Sequence, residues 1–136
     1  MEETVVVNGE EIIFGEDNHF VTGSFTSHSW HIPPQIYGLV VRDNIVRACV
    51  DLLVMNCRGE ILLGERKINP WPHWWTFGGR IIPGETFEGA CSRIAGKDLG
   101  LIIGPERFVL LDFASLVFGR RQEPPQENGC HDITFF

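Results

Sequence analysis

The residues best placed to do chemistry fall between Gly78 and Leu101, in GGRIIPGETFEGACSRIAGKDLGL. Two glycines and Arg80 lead into a short loop with Pro83 and Gly84. Phe87, Ala90, Cys91, Ile94, Ala95 and Leu99 then recur at spacings of three and four, which predicts a helix over 86–99. Thr86 is placed to cap it, Glu85 and Glu88 put negative charge at its start, and Gly100 stands where a left-handed residue closes a helix. Positions 94, 97 and 98 share one face and carry a methyl-rich side chain, an ammonium and a carboxylate. Lys97 suits the end of the helix. Asp98 opposes the dipole there by about 0.3–1 kcal/mol, so it reads as a ligand or as the partner of a distant cation.

The elements around this stretch must position those groups. Asp51 is an acid inside the apolar run IVRACVDLLVM, a strand over Ile45–Met55. A buried carboxylate needs a partner, and Asp51 is read as lining a pocket. Asn56–Gly59 turns the chain into a second strand at 60–65, and Arg66 follows. The loop INPWPHWW holds Trp71, Trp74 and Trp75. Trp75 and Phe77 read as core, and Trp71 as a ligand contact that stacks on a ring. After the helix, strands are expected at 101–103, at 108–113 with 116–118 extending or following it, and in the closing HDITFF. Arg120 and Arg121 read as solvated loop residues.

Before Asp51, Asn8-Gly9 between two apolar runs signals a hairpin, so residues 1–32 read as an N-terminal extension and 33–136 as the main domain. Pro33 and Pro34 start a helix over 35–43 with Ile36, Leu39 and Val40 inward. His19, His28 and His31 are too irregularly spaced to read as a metal site.

Bulk properties narrow the class. The 136 residues are enough for one domain with a core, and the apolar fraction of 43% is ordinary. A net charge of −7 argues against nonspecific nucleic-acid binding. Apolar runs are too short for a membrane span, and the acidic start MEETVVV is unlike a signal peptide. Four cysteines without metal or CxxC spacing read as reduced thiols of a cytoplasmic protein.

The 78–101 stretch resembles the box of the Nudix hydrolases. That box runs Gly, five residues, Glu, seven residues, Arg-Glu-apolar-any-Glu-Glu-any-Gly-apolar. Gly79, Glu85, Arg93, Gly100 and Leu101 fall on its spacing, whereas Ile94 and Lys97 replace two of its three helix carboxylates and Asp98 holds the third. The span from Ile45 to Leu101 is most similar to the GDP-mannose mannosyl hydrolases, a branch that also keeps only the last helix carboxylate. The spacing of Asp51 to Arg66 and the run Gly78, Gly79, Arg80 fit that branch. The connection from Arg66 to Arg80 is about one residue shorter.

The resemblance implies an α+β fold, an α/β/α sandwich around a mixed sheet. It implies hydrolysis of a nucleoside-diphosphate sugar, GDP-mannose-like, at the anomeric carbon. One weakly bound Mg2+ would be held near the Gly78 carbonyl, Glu85 and Asp98. Arg66, Arg80 and Arg93 would offset charge on the leaving diphosphate, with Arg93 alternatively bracing the loop against Glu85. Asp51, Arg66, Arg80 and Trp71 would contact substrate. Gly78, Glu85, Arg93 and Asp98 are therefore expected to converge on one cleft. His73 and His131 are weak candidates for the base. The alternatives are a Nudix-fold nucleotide-binding module without turnover and an ordinary phosphoanhydride hydrolase. The chain closes in what reads as mid-sheet, so either the N-terminal extension completes the fold or the sequence is truncated. An apolar final strand at a sheet edge would invite a homodimer.

Overall fold

The computed structural model describes residues 19–136, together with the backbone of two earlier strands, Glu3–Val7 (β1) and Glu10–Phe14 (β2). These strands pair antiparallel with Val7 opposite Glu10, the register a two-residue turn demands; the Asn8-Gly9 turn itself lies outside the described residues. Phe20–Thr22 (β3) adds to β2, so the three form a sheet of their own.

Pro34 opens a helical segment as its fixed φ favours. An α-turn over Pro34–Ile36 continues as π-helical turns over Tyr37–Arg42 (together α1), and the Asn44 side chain donates to the Leu39 and Val40 carbonyls at its end. The buried face is not the expected one. Gly38 and Arg42 are buried, while Ile36, Leu39 and Val40 are exposed. Arg42 is drawn in by Asp132, and at Gly38 the Pro124 carbonyl occupies the space a side chain would need.

The remaining strands are Arg47–Leu52 (β4), Gly64–Glu65 (β5), Trp74–Trp75 (β6), Phe77–Arg80 (β7), Phe113–Phe118 (β8) and Cys130–Phe135 (β9). The main sheet runs β7-β4-β9-β8, with β4 and β9 parallel and the other pairs antiparallel, so it is mixed. β5 and β6 pair separately. The strand expected over 45–55 narrows to β4. Beyond it a single Met55–Ile61 bridge closes the NCRG turn, where Gly59 takes φ 80° and the Asn56 side-chain Oδ1 accepts from the Arg58 and Glu60 N–H groups.

After the box helix the sequence expectation is displaced. No strand forms at 101–103 or 108–112; Pro105–Arg107 makes one 3-10 turn, and the strand begins only at Phe113. In FASLVF, alternate residues turn inward at Ala114, Leu116 and Phe118, whereas Val109, Leu110 and Leu111 do not alternate and stay exposed. HDITFF is a strand as expected, but an interior one, bonded by β4 on one side and β8 on the other. The outer strands of this sheet are β7 and β8, which removes the argument for self-association through β9. Arg121 is another correction. It is fully buried, not solvated, and its guanidinium donates to Asp43 and to the carbonyls of Glu123, Pro124 and Gly129.

The box helix, Phe87–Leu99 (α2), begins where predicted. The Thr86 hydroxyl accepts from the Gly89 N–H, a cap worth about 1 kcal/mol, and Gly100 ends it at φ 66°. Ala90, Cys91, Ile94 and Ala95 pack against Val50 and Leu52 of β4 and form the core. On the opposite sheet face, α1 reaches the Arg47 end through Tyr37 and Arg42. Helices on both sides of a mixed sheet make this an α+β fold.

Candidate active site

The sheet face away from α2 floors a cleft with about 340 Å³ of open space, within the range of small-ligand sites. Strand alternation decides which side chains reach it. Arg47, Cys49 and Asp51 of β4 point that way, as do Asp132 and Thr134 of β9; Val50, Leu52 and Phe135 point to the core. The segment from Gly64 through Trp71 and the residues Trp75 and Thr76 build the walls, and Gly78 and Asp98 lie at the box side.

Asp51 is the best-defined group. It pairs with Gly78 across β4 and β7 and is only 8% exposed. Its Oδ2 accepts from Trp75 Nε1 at 2.8 Å and from the Thr76 hydroxyl at 2.8 Å. Burial pushes its carboxyl above the ordinary range, and the Thr76 and Trp75 bonds and the charge of Arg66 offset this only in part. Gly78 is required beside it, because a Cβ there would lie 2.7 Å from Asp51 Cγ. Asp51 thus has the pocket position expected of it.

Arg66 lines the cleft, with Nη2 donating to the Asn69 carbonyl at 3.4 Å. Trp71 lines it too, 44% exposed, with its ring tilted at 59° to His73 and 4.6 Å away. Asp98 is exposed at its rim. The other box residues are engaged elsewhere. Glu85 accepts from Arg93 Nε at 2.6 Å and Nη2 at 3.0 Å, and from the Ile82 N–H at 2.8 Å. Burial would raise the Glu85 carboxyl, but the Arg93 guanidinium and the Ile82 N–H outweigh it and hold the group low. Arg93 Nη2 also donates to the Arg80 carbonyl at 2.9 Å, so Glu85 and Arg93 together brace the loop onto β7. Arg80 Nη2 donates to the Ser29 hydroxyl at 3.2 Å. Of the four groups expected to converge, Gly78 and Asp98 line the cleft, whereas Glu85 and Arg93 bind each other beside it.

The two histidines named as bases are not on the cleft floor. His131 Nε2 lies 2.8 Å from the Ser115 hydroxyl, and alternation along β9 turns it to the face opposite Asp132. His73 is exposed against Trp71. Sequence reasoning missed Arg47, Asp132 and Thr134. Their signal was the period of two: Arg47 and Cys49 share Asp51's face, and Asp132 and Thr134 alternate in HDITFF.

Oxygen donors decide what cation the cleft can take. Among the described residues no three His, Cys, Asp or Glu side chains group as a metal site. Ile94 is 2% exposed, packed toward Gly79, and leaves Asp98 as the helix carboxylate at the cleft. Magnesium wants six oxygens and readily keeps waters and phosphate oxygens. The residues fit an ion that arrives with a diphosphate, with Asp98 and a carbonyl near Gly78 as protein donors; they do not fit a tightly held resident ion.

The chain thus combines a mixed sheet, a capped helix entered from a glycine-containing loop, and a polar cleft on the sheet face. The NUDIX domain family model matches residues 46–136, well over half of the chain, and the chain belongs to that family. Members act on nucleoside-diphosphate derivatives and generally use a divalent cation such as Mg2+. All four cysteines are free thiols, and no described helix is long and apolar enough to cross a membrane.

Proposed function

We propose that this Nudix hydrolase acts on a nucleoside-diphosphate sugar of the GDP-mannose type and breaks the bond between the anomeric carbon and oxygen. The observation that carries the reading is the carboxylate-poor helix face, with Ile94 buried and Asp98 alone of positions 94, 97 and 98 lining the cleft. Attack on phosphorus brings a nucleophile toward an anionic centre and calls for several carboxylate-held cations. Substitution at carbon instead places the new charge on the departing diphosphate, which needs less metal. A bound Mg2+ would supply charge stabilisation to that diphosphate, with Asp98 and the Gly78 carbonyl as its protein donors.

The chain's own residues do the rest. Arg66 lies beside Asp51 on the cleft wall and is placed to grip the diphosphate in two-point fashion. Arg80 and Arg93 act less directly: Arg93 and Glu85 fix the loop at 81–85 onto β7, the strand that carries Gly78, and Arg80 adds positive charge beside Glu85. Asp51, with Oδ2 held by Trp75 and Thr76, keeps its carboxylate fixed toward the sugar's hydroxyl groups. Trp71 offers an exposed ring face for stacking. Fixed donors aimed at developing charge are often the largest catalytic contribution.

A second reading has its own support. Arg93 and Glu85 satisfy each other, and no histidine lines the described cleft, so the chain also suits a module that binds a nucleotide with slow or absent turnover. A product screen over nucleotide-sugars, with and without Mg2+, separates the two. Release of free sugar and nucleoside diphosphate supports the hydrolase; nucleotide affinity with no product supports the module.

A further inference from the structure

We infer that Arg47 is a specificity-determining residue that reads a carboxylate on the sugar, which makes the preferred ligand a nucleoside-diphosphate hexuronate. The inference rests on the nucleotide-sugar reading and names its substrate class.

Three features of Arg47 carry it. First, the guanidinium is fixed before any ligand arrives. Nε and Nη2 donate to the two oxygens of Asp132 at 2.9 and 3.0 Å, and Nη1 donates to the Tyr37 hydroxyl at 3.1 Å. A donor held this way loses little freedom on binding. Second, those bonds use three of its five N–H groups. One N–H on each terminal nitrogen has no partner among the described residues, and the side chain faces the cleft with 23% exposure. A pair of N–H donors on a planar fork matches a two-oxygen group such as a carboxylate.

Third, Arg47 does not have its carboxylate to itself. Asp132 also accepts from Arg42 Nη1 at 2.7 Å, so two guanidinium groups share one carboxylate. The other carboxylate near them, Glu123, stands 3.7 Å from Arg42 Nε, and that nitrogen is buried without a hydrogen-bond partner. Arg47 is therefore paired with Asp132, a carboxylate that it shares with Arg42, and its two unused N–H groups remain open to a further acceptor.

The position suits the far side of a sugar. Asp51 lies four residues along the same strand, roughly 13 Å from Arg47 between backbone positions. Cys49 and Thr134 lie between them on paired strands. A pyranose over that stretch would present hydroxyls to Asp51 at one end and its C5 substituent to Arg47 at the other. A neutral hydroxymethyl group there leaves the fork unmatched.

The test is calorimetric binding of matched pairs, UDP-glucose with UDP-glucuronate and GDP-mannose with GDP-mannuronate, to the whole chain. UDP and GDP alone report whether the nucleotide site exists. The acidic member of a pair is expected to bind about tenfold tighter or more, the scale of a charged hydrogen-bonded pair. Arg47→Met removes that preference, so that both members of a pair bind alike; Tyr37→Phe, which keeps the Asp132 pair, retains it. Equal affinities within each pair, or an equal loss for both members in Arg47→Met, overturns the inference. If Arg47→Met does not fold, the wild-type ratio and Tyr37→Phe decide it. No binding of UDP, GDP or any of the four sugars overturns the nucleotide-sugar reading itself.

Discussion

Gly78→Ala is the sharpest probe of how the cleft is built. A Cβ at Gly78 would lie 2.7 Å from Asp51 Cγ and closer still to Asp51 Oδ1 and the Val50 carbonyl oxygen. The first neighbour can move only by leaving Trp75 and Thr76, and the second is backbone of the central strand. Overpacking of this kind costs about 1–3 kcal/mol, and losing a hydrogen bond to a charged group adds about 1.5 kcal/mol or more. A loss near 3 kcal/mol should lower the melting temperature by roughly 10 °C in a chain of this size. The next glycine is the control. At Gly79 a Cβ would meet only Ile94 Cδ1 at 3.5 Å, an ordinary contact, so Gly79→Ala should melt within a few degrees of wild type. The assay is paired thermal denaturation followed by circular dichroism. Equal melting temperatures for the two variants would refute the placement of Asp51 over Gly78.

Asp51→Asn should raise stability at neutral pH while abolishing activity. Burial raises the folded-state pKa of Asp51 above its ordinary 3.8, so ionising it is unfavourable, and that penalty grows as pH rises through 3.8 toward the folded value. Melts of the two proteins should therefore differ more at pH 7 than at pH 3. Asp132 has the opposite sign. Burial would raise its carboxyl, but the bonds from Arg47 and Arg42 outweigh this and hold it below 3.8. Its stabilisation is present above pH 3.8 and is lost as pH falls through the folded value. Acid melts should show a drop below about pH 4, and Asp132→Asn, weaker at pH 7, should show a shallower one. Replacing the exposed Lys97 with Glu, one position before Asp98, should strengthen Mg2+ binding by the free protein, read by calorimetry, and no gain would mean that this part of the helix does not look onto the cation position; Ile94→Glu would instead bury a charge in the core and lower stability.

The box helix and the hairpin signals were legible because each rests on local rules. Thr86, Gly100 and the apolar spacing fix α2 by neighbours within one turn, and Asn56 and Gly59 do the same for their turn. What the sequence hid depends on distant partners. Arg121 reads as a solvated loop cation, and nothing local marks Arg42 or Arg47, until Asp43 and Asp132 arrive from 78 to 90 residues away. The same pull buries the unexpected face of α1. The strand after α2 was misplaced because an apolar run at 108–112 looks like a strand wherever it lies. What selects Phe113–Phe118 is pairing with β9. Within the site, Asp51 was readable as an acid in an apolar run. The mutual engagement of Glu85 and Arg93 was named as an alternative, and choosing it required the geometry.

The central claim concerns which bond breaks, and water labelled with heavy oxygen tests it. The protein is incubated with a nucleoside-diphosphate sugar and Mg2+ in labelled water, and both products are weighed by mass spectrometry. The account predicts label in the free sugar and an unlabelled nucleoside diphosphate, because water attacks the anomeric carbon. Label in a phosphate product would contradict it and would place this chain with the phosphorus-attacking members of its family.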